Sequence, residues 1–488
     1  MPKALRISIP SIPLGAIVPA LHPYAIQEAA ERIAEVLTAS RASQGTDGRP
    51  GRSLILTGAG ISVDSGIAPY RGRGGHYEVH KSYRPIYYAE FSALDDGGHR
   101  ARQRYWNRSF LGFPPVRYAR PNPAHMAIAA MQRMGYVPDY ITQNVDSLHH
   151  SATPSPSLAA QTILELHGTL QHVVCIASPS EYTASLSPSR PDPPPISSRF
   201  RETLLSYPPP PPLPNSSAFP TAQSLHNHAS SSQSRTNSTP PEPVEYNTPS
   251  GKSAYPLGCG FRGSRAAFQD ELARLNPKWE EYGRELMLGR AEAAVAAAAA
   301  HGEAGEDARG EVEGRRKRPK MNPDGDVDLG DGVDYTNFKY PSCPNCGGVL
   351  KPAVIFFGET VPTLLKDRAT SLVEQSSSML VVGSSLATYS AFRLIKQALD
   401  PSSSSSSSDV DAARRQRELM VLNIGPTRAD PLLSLKAKME LGSTEVLTAA
   451  ARLLAGGREK EDPVLRSLLE GGEVVRRDGN ASSKVVSS

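Results

Sequence analysis

Residues 53–72 read SLILTGAGISVDSGIAPYRG, an apolar run followed at once by a glycine-rich turn. A short apolar run bounded by glycine indicates a buried parallel strand. Because glycine lacks Cβ, Gly58 and Gly60 permit a tight turn in which a pyrophosphate approaches the backbone N–H groups. A helix opening at Val63 would direct its partial positive charge to the same place. The stretch therefore predicts a dinucleotide-binding turn. Val63 stands where the full fingerprint has a third glycine, so a strand–helix turn without a ligand is the alternative.

Four later apolar runs also end in small polar residues. They are 140–142 before QNVD, 163–166 before HG, 379–382 before GSS and 419–422 before NIG. Helical patterns lie between such runs, for example after Asn122 and Pro123, a capping residue followed by proline at the first helical position. Strands that alternate with helices predict an α/β fold with a doubly wound parallel sheet, which binds its ligand at the carboxyl ends of the strands.

The composition limits the classes of protein and partner. With 488 residues, the chain is long enough for about two or three domains. A net charge of +4 is too small to favour nucleic acid, and no apolar run approaches the length of a membrane span. Only four cysteines occur, which favours a reducing compartment or a metal site over a disulfide scaffold. We therefore expect no direct nucleic-acid partner and no membrane partner.

The cysteines include half of a metal-binding motif. Cys343 and Cys346 are separated by two residues and followed by two glycines, a spacing with which two thiolates bind one tetrahedral ion. Their partners must be Cys175 and Cys259, since the chain contains no others. The long insert between Cys175 and Cys259 adds closure entropy only slowly with its length, so it need not destroy the site. We predict one structural Zn²⁺ held by all four, and the alternative is four unrelated free thiols.

His167 is the candidate catalytic side chain. It follows an apolar run and precedes glycine, so its imidazole can stand at the edge of the sheet. Taken alone, a histidine in this position is better explained as a hydrogen-bonded core residue. The nearby QNVD segment adds the amides of Gln143 and Asn144 and the carboxylate of Asp146, groups suited to an amide ligand and ribose hydroxyls.

These motifs together resemble those of the sirtuins, the NAD-dependent protein deacylases. The matching strings are GAGIS at 58–62, SGI at 65–67, YRG at 70–72, QNVD at 143–146, ELHG at 165–168, KPAVIFFGE at 351–359, GSSL at 383–386 and NIGPT at 423–427. One departure lies in the first loop, where Ala68 and Pro69 follow Ile67 and no carboxylate precedes Tyr70. Within the family, RQRYW at 102–106, FFGE and NIGPTR look most like the class II, mitochondrial-type branch.

The resemblance implies a reaction in which the carbonyl oxygen of an acyl-lysine attacks C1′ of the nicotinamide ribose of NAD. Nicotinamide leaves, and the acyl group passes to ADP-ribose. His167 would be the general base on the ribose hydroxyls, Asn144 would orient the ribose or a water, and Asp146 would hold the carboxamide. The stretch 354–359 would pair with the substrate peptide as an added strand. Its substrate-binding residues would be Val354, Phe356, Phe357, Gly358 and Glu359.

The NAD-binding residues implied by the resemblance come from all of these loops. They are Gly58, Ala59, Gly60, Ser62, Ser65, Gly66, Tyr70, Arg71, Gln143, Asn144, Asp146, Gly383, Ser384, Ser385, Asn423, Ile424, Gly425 and Leu441. NAD is thus the expected co-substrate, and an acylated lysine of a protein is the expected partner.

Tyr105 and Arg108 form a second candidate substrate pair. They lie three residues apart on a predicted helix, so they can present a phenol and a guanidinium together. A similar Tyr-x-x-Arg pair occurs in desuccinylating sirtuins, which suggests a preference for acidic acyl groups. The alternative is a surface helix of mixed polarity.

The predicted domain plan is a Rossmann-like NAD-binding domain with a smaller zinc-binding domain and disordered inserts. Its parts are an N-terminal tail at 1–23, the first part of the NAD-binding domain at 24–174, the zinc-binding domain at 175–350, the second part of the NAD-binding domain at 351–456 and a C-terminal tail at 457–488. The segments predicted to be disordered are 176–258, about 281–321 and the serine-rich loop 401–409. Serine, proline and charged residues dominate them, and such segments bury too little apolar surface to offset the entropy of ordering.

Two other functions and two other compartments are alternatives. The chain could be a catalytically weak NAD-sensing silencing or scaffold protein, or a dehydrogenase that transfers hydride, although no acid follows the first strand at the expected distance. The resemblance also admits ADP-ribosyl transfer as a second activity. It implies the mitochondrial matrix, with only a weak targeting signal at the N-terminus. The basic run at 315–320 leaves the nucleus or cytoplasm as alternatives.

Overall fold

The computed structural model describes residues 24–43, 50–71, 75, 85–177, 258–286, 333–400, 417–434 and 436–471. The strands in this part of the chain are β1 Arg52–Thr57, β2 Tyr140–Thr142, β3 Ile163–Glu165, β4 Gly168–Ala177, β5 Arg262–Ser264, β6 Val349–Val354, β7 Ser376–Val382, β8 Glu418–Leu422 and β9 Lys438–Met439. They form a six-stranded parallel sheet in the order β3-β2-β1-β7-β8-β9 and a three-stranded antiparallel sheet in the order β5-β4-β6.

Some helices cover both faces of the large sheet, and others pack with the small sheet. The helices are α1 Ile26–Ala42, α2 Tyr88–Ser92, α3 Asp96–Tyr118, α4 Pro123–Arg133, α5 Leu148–Ala152, α6 Pro156–Thr162, α7 Arg265–Leu275, α8 Thr363–Glu374, α9 Tyr389–Leu399, α10 Ser443–Ala455 and α11 Pro463–Glu470. The strand β1 shows the two faces, because Ile55 packs in the core with α1, α4, α10 and α11, whereas Leu54 and Leu56 pack with α8 and α9. This alternation is that of a strand buried on both sides, and it confirms the predicted doubly wound sheet.

The small sheet has an aromatic core of its own. Trp106 of α3 packs against Phe268 of α7 with ring centroids 4.5 Å apart, and both side chains are fully buried. The guanidinium of Arg265 lies 4.2 Å from the ring centroid of Phe113 in the same cluster. A separate core of this kind indicates that β4, β5 and β6 form a second structural unit beside the large sheet.

The sequence-based plan assigned 457–488 to a C-terminal tail, but part of this segment folds into α11. Asp462 caps α11 by accepting hydrogen bonds from the backbone of Val464 and Leu465 at 3.1 and 3.0 Å. Leu465, Leu468 and Leu469 lie buried against the core beside α4. Aspartate followed by proline and then leucines at i, i+3 and i+4 is a helix-start pattern that the domain plan overlooked.

Three local predictions also differ from the structure. Residues 176 and 177 complete β4 rather than opening a disordered insert, and 277–286 are helical across the start of the second one. The glycine turn leads into a 3₁₀ helix at Ala59–Ser65 rather than an α-helix opening at Val63. This helix packs on Gly383 and ends at Gly66 in the left-handed region with φ 83°. The predictions for 1–23, 178–257, 287–321, 401–409 and 472–488 lie outside the described residues. Among the described residues, no helix has the length and apolar character of a membrane span.

Candidate active site

Two glycine loops interlock at the carboxyl ends of β1 and β7. The N–H of Gly60 donates to the carbonyl of Gly383 at 2.8 Å, and a Cβ on Gly60 would stand 2.8 Å from the Gly383 Cα. A Cβ on Gly58 would stand 2.7 Å from the Cβ of Ser384. Both approaches are too close for a real side chain. The first loop therefore requires glycine because the second loop packs on it, a reason that the sequence interpretation did not include.

Behind the first loop, Ser62 joins the two polar residues of the QNVD segment. Its hydroxyl donates to the Asp146 carboxylate at 2.8 Å and accepts from the Asn144 side chain at 3.1 Å. The other carboxylate oxygen of Asp146 accepts the backbone N–H of Leu148 at 2.9 Å. Burial raises the pKa of Asp146, while these two hydrogen bonds act in the opposite direction. The structure thus brings together Ser62, Asn144 and Asp146 as one buried polar group.

His167 lies at the end of β3 with both ring nitrogens engaged. Nδ1 is 3.2 Å from the backbone carbonyl of Gln143, and Nε2 is 2.7 Å from the hydroxyl of Ser390. Part of the side chain reaches solvent, yet the surrounding atoms enclose it enough that burial lowers the pKa of His167 to about 4. The Gln143 carbonyl acts in the opposite direction. The imidazole is therefore neutral at pH 7 and able to accept a proton.

The side chain of Gln143 ties this histidine to the second glycine loop. Its amide nitrogen donates to the Ser384 hydroxyl at 2.7 Å, and its amide oxygen accepts from the Thr388 hydroxyl at 3.3 Å. Thr388 and Ser390 were missed by the sequence interpretation. The available signal was two hydroxyl residues within four positions after the GSSL motif, at the start of α9.

The remaining predicted NAD-binding residues lie at the same edge of the sheet. Asn423, at the end of β8, is buried and donates to the carbonyls of Ile424 and Gly425 at 3.0 and 3.1 Å. Leu441 follows β9 and packs on the core beside α10. Ser65 has an enclosed hydroxyl without a hydrogen-bond partner among the described residues. Ala59, Gly66, Tyr70 and Arg71 continue the first loop, and Ser385 continues the second.

A buried ion pair and backbone hydrogen bonds hold the predicted peptide-binding stretch in place. Lys351 and Glu359 form a buried ion pair at 3.2 Å, and the Glu359 carboxylate also accepts the backbone N–H of Phe356 at 2.6 Å. The backbone of Phe357 is bridged to Tyr87, with the Tyr88 N–H donating to the Phe357 carbonyl at 2.9 Å. The stretch also contacts the catalytic candidate, because the N–H of residue 355 donates to the His167 carbonyl at 2.8 Å. Val354 is paired with residue 168 of β4, and residue 358 forms the exposed turn.

Tyr105 and Arg108 do not lie on a surface helix. Their exposures are 5% and 8%, so the surface-helix alternative is wrong. The ring of Tyr105 packs between Phe91 and Phe356, with centroid distances of 5.4 and 5.0 Å. The structure therefore places Tyr105 against the predicted peptide-binding stretch. The acidic-acyl preference itself stays a prediction.

The four cysteines meet at one end of the small sheet. Their sulfurs all lie within 4.8 Å of one another, with Cys259 and Cys343 at 3.5 Å and Cys175 and Cys346 at 3.6 Å. In a tetrahedral site with Zn–S bonds of about 2.3 Å, neighbouring sulfurs are about 3.8 Å apart. The cysteines are thus positioned to hold a zinc ion, and the alternative of four unrelated thiols is wrong.

This chemistry belongs to a recognisable class of protein. A parallel sheet whose loop tips surround a neutral imidazole, beside a small four-cysteine unit, defines a dinucleotide-binding α/β protein with a metal-binding domain. The Sir2 family model matches residues 58–200 and 319–390. The chain is 32% identical to the NAD-dependent protein deacylase SIR4 of Batrachochytrium dendrobatidis, over 82% of this chain and 89% of that protein. The chain belongs to the Sir2 family, which confirms the predicted resemblance to the sirtuins.

Two further proteins illustrate the range of the similarity. The NAD-dependent protein deacylase SRT2 of Arabidopsis thaliana is 31% identical over 80% of this chain and 70% of that protein. A solved structure, from work on the mechanism and regulation of Sir2 enzymes, is 20% identical with a TM-score of 0.41. The match covers 88% of this chain and 99% of the chain in the solved structure.

Proposed function

We propose that this protein is an NAD-dependent protein-lysine deacylase, which transfers the acyl group to ADP-ribose and releases nicotinamide. The observation that carries the proposal is the neutral imidazole of His167, held between Gln143 and Ser390 at the edge where the two glycine loops meet. Family membership supports it, since relatives such as SIR4 are named NAD-dependent protein deacylases.

The residues at this edge fit a dinucleotide. The enclosed hydroxyl of Ser65 lacks a partner among the described residues, and a phosphate or ribose oxygen would satisfy it. The interlocked loops, with Gly60 and Ser384, would bind ribose and phosphate. NAD supplies the glycosidic bond that breaks when the acyl oxygen attacks C1′. His167 would take the proton of a ribose hydroxyl on Nε2, and Asn144 would orient that ribose or a water.

The buried polar group behind the loop supports a role in binding the carboxamide. Asp146 would accept from the carboxamide nitrogen, with Ser62 keeping the carboxylate in place. The zinc ion would be structural, because four cysteine ligands leave no open position for substrate. Residues 354–359 would bind the peptide, and Tyr105 beneath Phe356 would face the acyl group together with Arg108.

We further propose membership of the class II branch and a mitochondrial location. The support is the resemblance of RQRYW, FFGE and NIGPTR to that branch. The basic run at 315–320 lies outside the described residues and leaves the nucleus or cytoplasm as the alternative location. Imaging of the full chain tagged at its C-terminus against mitochondrial and nuclear markers separates the two.

The deciding experiment incubates the full chain with NAD and a panel of acetyl-, succinyl-, glutaryl- and lipoyl-lysine peptides. We expect nicotinamide release and acyl transfer by mass spectrometry, without a change in NADH absorbance. His167→Ala should lower turnover by at least about 100-fold, since it removes the general base. His172→Ala, a half-buried histidine on β4, is the matched control.

Each rival function has a distinct outcome in this assay. NAD binding without nicotinamide release would favour the scaffold, and NADH formation would favour the dehydrogenase. Release of nicotinamide with ADP-ribose attached to protein would indicate ADP-ribosyl transfer. Equal rates on all four peptides would exclude an acidic-acyl preference.

A further inference from the structure

The start of α9 directs two hydroxyls at Gln143 and His167. Thr388 stands at the N-cap position, where threonine ordinarily accepts from the first turn of its helix. Its side chain makes no capping bond and donates instead to the Gln143 amide at 3.3 Å. Two residues on, the Ser390 hydroxyl lies 2.7 Å from Nε2 of His167. The helix start thus forgoes a local hydrogen bond while both hydroxyls contact residues of the site.

The contact on the other ring nitrogen defines the direction of this hydrogen bond. The backbone carbonyl of Gln143 can only accept, so Nδ1 of His167 must carry the proton in their 3.2 Å contact. In the neutral ring, Nε2 then has the lone pair and accepts from the Ser390 hydroxyl. Nε2 is accordingly the nitrogen available as the base, and Ser390 is its protein partner.

We propose that Ser390 is a positioning residue that holds the His167 imidazole in its reactive orientation, in the tautomer that the Gln143 carbonyl sets. In the free enzyme the Ser390 hydroxyl donates to the lone pair of neutral Nε2. It rotates about its C–O bond to leave that lone pair to the ribose hydroxyl, and after the proton transfer it can accept from Nε2–H. The proton moves only between the ribose hydroxyl and Nε2, and Ser390 keeps its own. The inference rests on the proposed function, for which His167 is the base.

The test compares Ser390→Ala, Ser390→Thr and the control Ser371→Ala, all in the full chain with NAD and an acyl-lysine peptide. Ser371 lies on α8 in contact with Gln375, away from the site. Loss of one hydrogen bond to the base should lower kcat about three- to tenfold in Ser390→Ala, with KM for NAD changed less than about twofold. Ser390→Thr keeps a hydroxyl and should restore most of the rate.

A second readout does not depend on activity. Long-range ¹H–¹⁵N spectra of the ¹⁵N-histidine-labelled protein, with His167→Ala for assignment, should show His167 with the proton on Nδ1. The Nε2 resonance should shift in Ser390→Ala and remain in place in Ser371→Ala. A proton on Nε2 in the wild type, or an unshifted resonance with unchanged kcat, overturns the role of Ser390. Absence of nicotinamide release by the wild type would instead overturn the proposed function.

Discussion

At the scale of a single residue, we expect the burial of His167 to determine the pH at which the enzyme loses activity. Its pKa is lowered to about 4, so the unprotonated base persists well below the usual imidazole range. Since kcat/KM reports ionisations of the free enzyme, we expect kcat/KM for NAD to stay level from about pH 8 to about pH 5.5 as far as this residue is concerned. It should fall as the pH approaches 4, where Nε2 becomes protonated. Measured pH profiles check this, and an acid limb at the ordinary histidine pKa would contradict it.

The sequence shows which residue types meet in the site but not how they contact one another. The cysteines could be chosen from the CxxC spacing of Cys343 and Cys346 and from the presence of only two others in the sequence. His167 could be chosen from the nearby QNVD segment and the ELHG motif. Ser390 could not, since serine is common and its contact joins residues 223 positions apart. Gly60 was predicted because a pyrophosphate must approach its backbone. The sequence could not show the second reason for glycine there, the close approach of Gly383, because that contact exists only after the sheet has formed.

Among the elements, β6 and the turn after it depend on one buried ion pair. Burial lowers the pKa of Lys351, and the Glu359 carboxylate 3.2 Å away acts in the opposite direction. Glu359→Gln would leave a buried ammonium that contacts carbonyls and the Phe356 ring but no carboxylate. We expect the free energy of unfolding to fall by about 3 kcal/mol, as for other broken buried pairs, and KM for the peptide to rise more than KM for NAD.

Denaturant unfolding and steady-state kinetics measure these two effects. Glu31→Gln, on the exposed face of α1, is the control and should change stability by less than about 0.5 kcal/mol. Unchanged stability in Glu359→Gln would mean that Lys351 loses its proton at no cost. An equal rise in both KM values would show that the pair does not act on the peptide stretch in particular.

The strands of the large sheet were predictable because each is a short apolar run that ends in a polar turn. The helix α11 was overlooked although its pattern was visible, since its leucines follow a polar segment that resembles a tail. The 3₁₀ helix at 59–65 was not predictable from local propensity, because its geometry follows from packing against residue 383. Elements that bury their own apolar residues can be predicted, whereas those shaped by a distant loop cannot.

In the molecule as a whole, the metal site belongs to the same apolar cluster as the peptide-binding stretch. Cys175 and Cys343 share that cluster with Tyr105 and Phe356, whereas none of the four cysteines enters the two cores that flank the large sheet. Loss of the ion should therefore loosen the peptide side before the dinucleotide side. We expect one zinc per chain by metal analysis.

Removal of that zinc by a chelator should lower activity and raise KM for the peptide, with NAD affinity by calorimetry changed less than about threefold. The physical reason is that the interlocked loops of residues 58–60 and 383–384 are held by β1 and β7, whose packing involves no cysteine. Readdition of zinc should restore the peptide KM. Cys346→Ser should reproduce the chelated state because it removes one ligand of the set. Parallel loss of NAD and peptide binding would mean that the small sheet and the large sheet unfold as one unit, and absence of stoichiometric zinc would remove the metal site altogether.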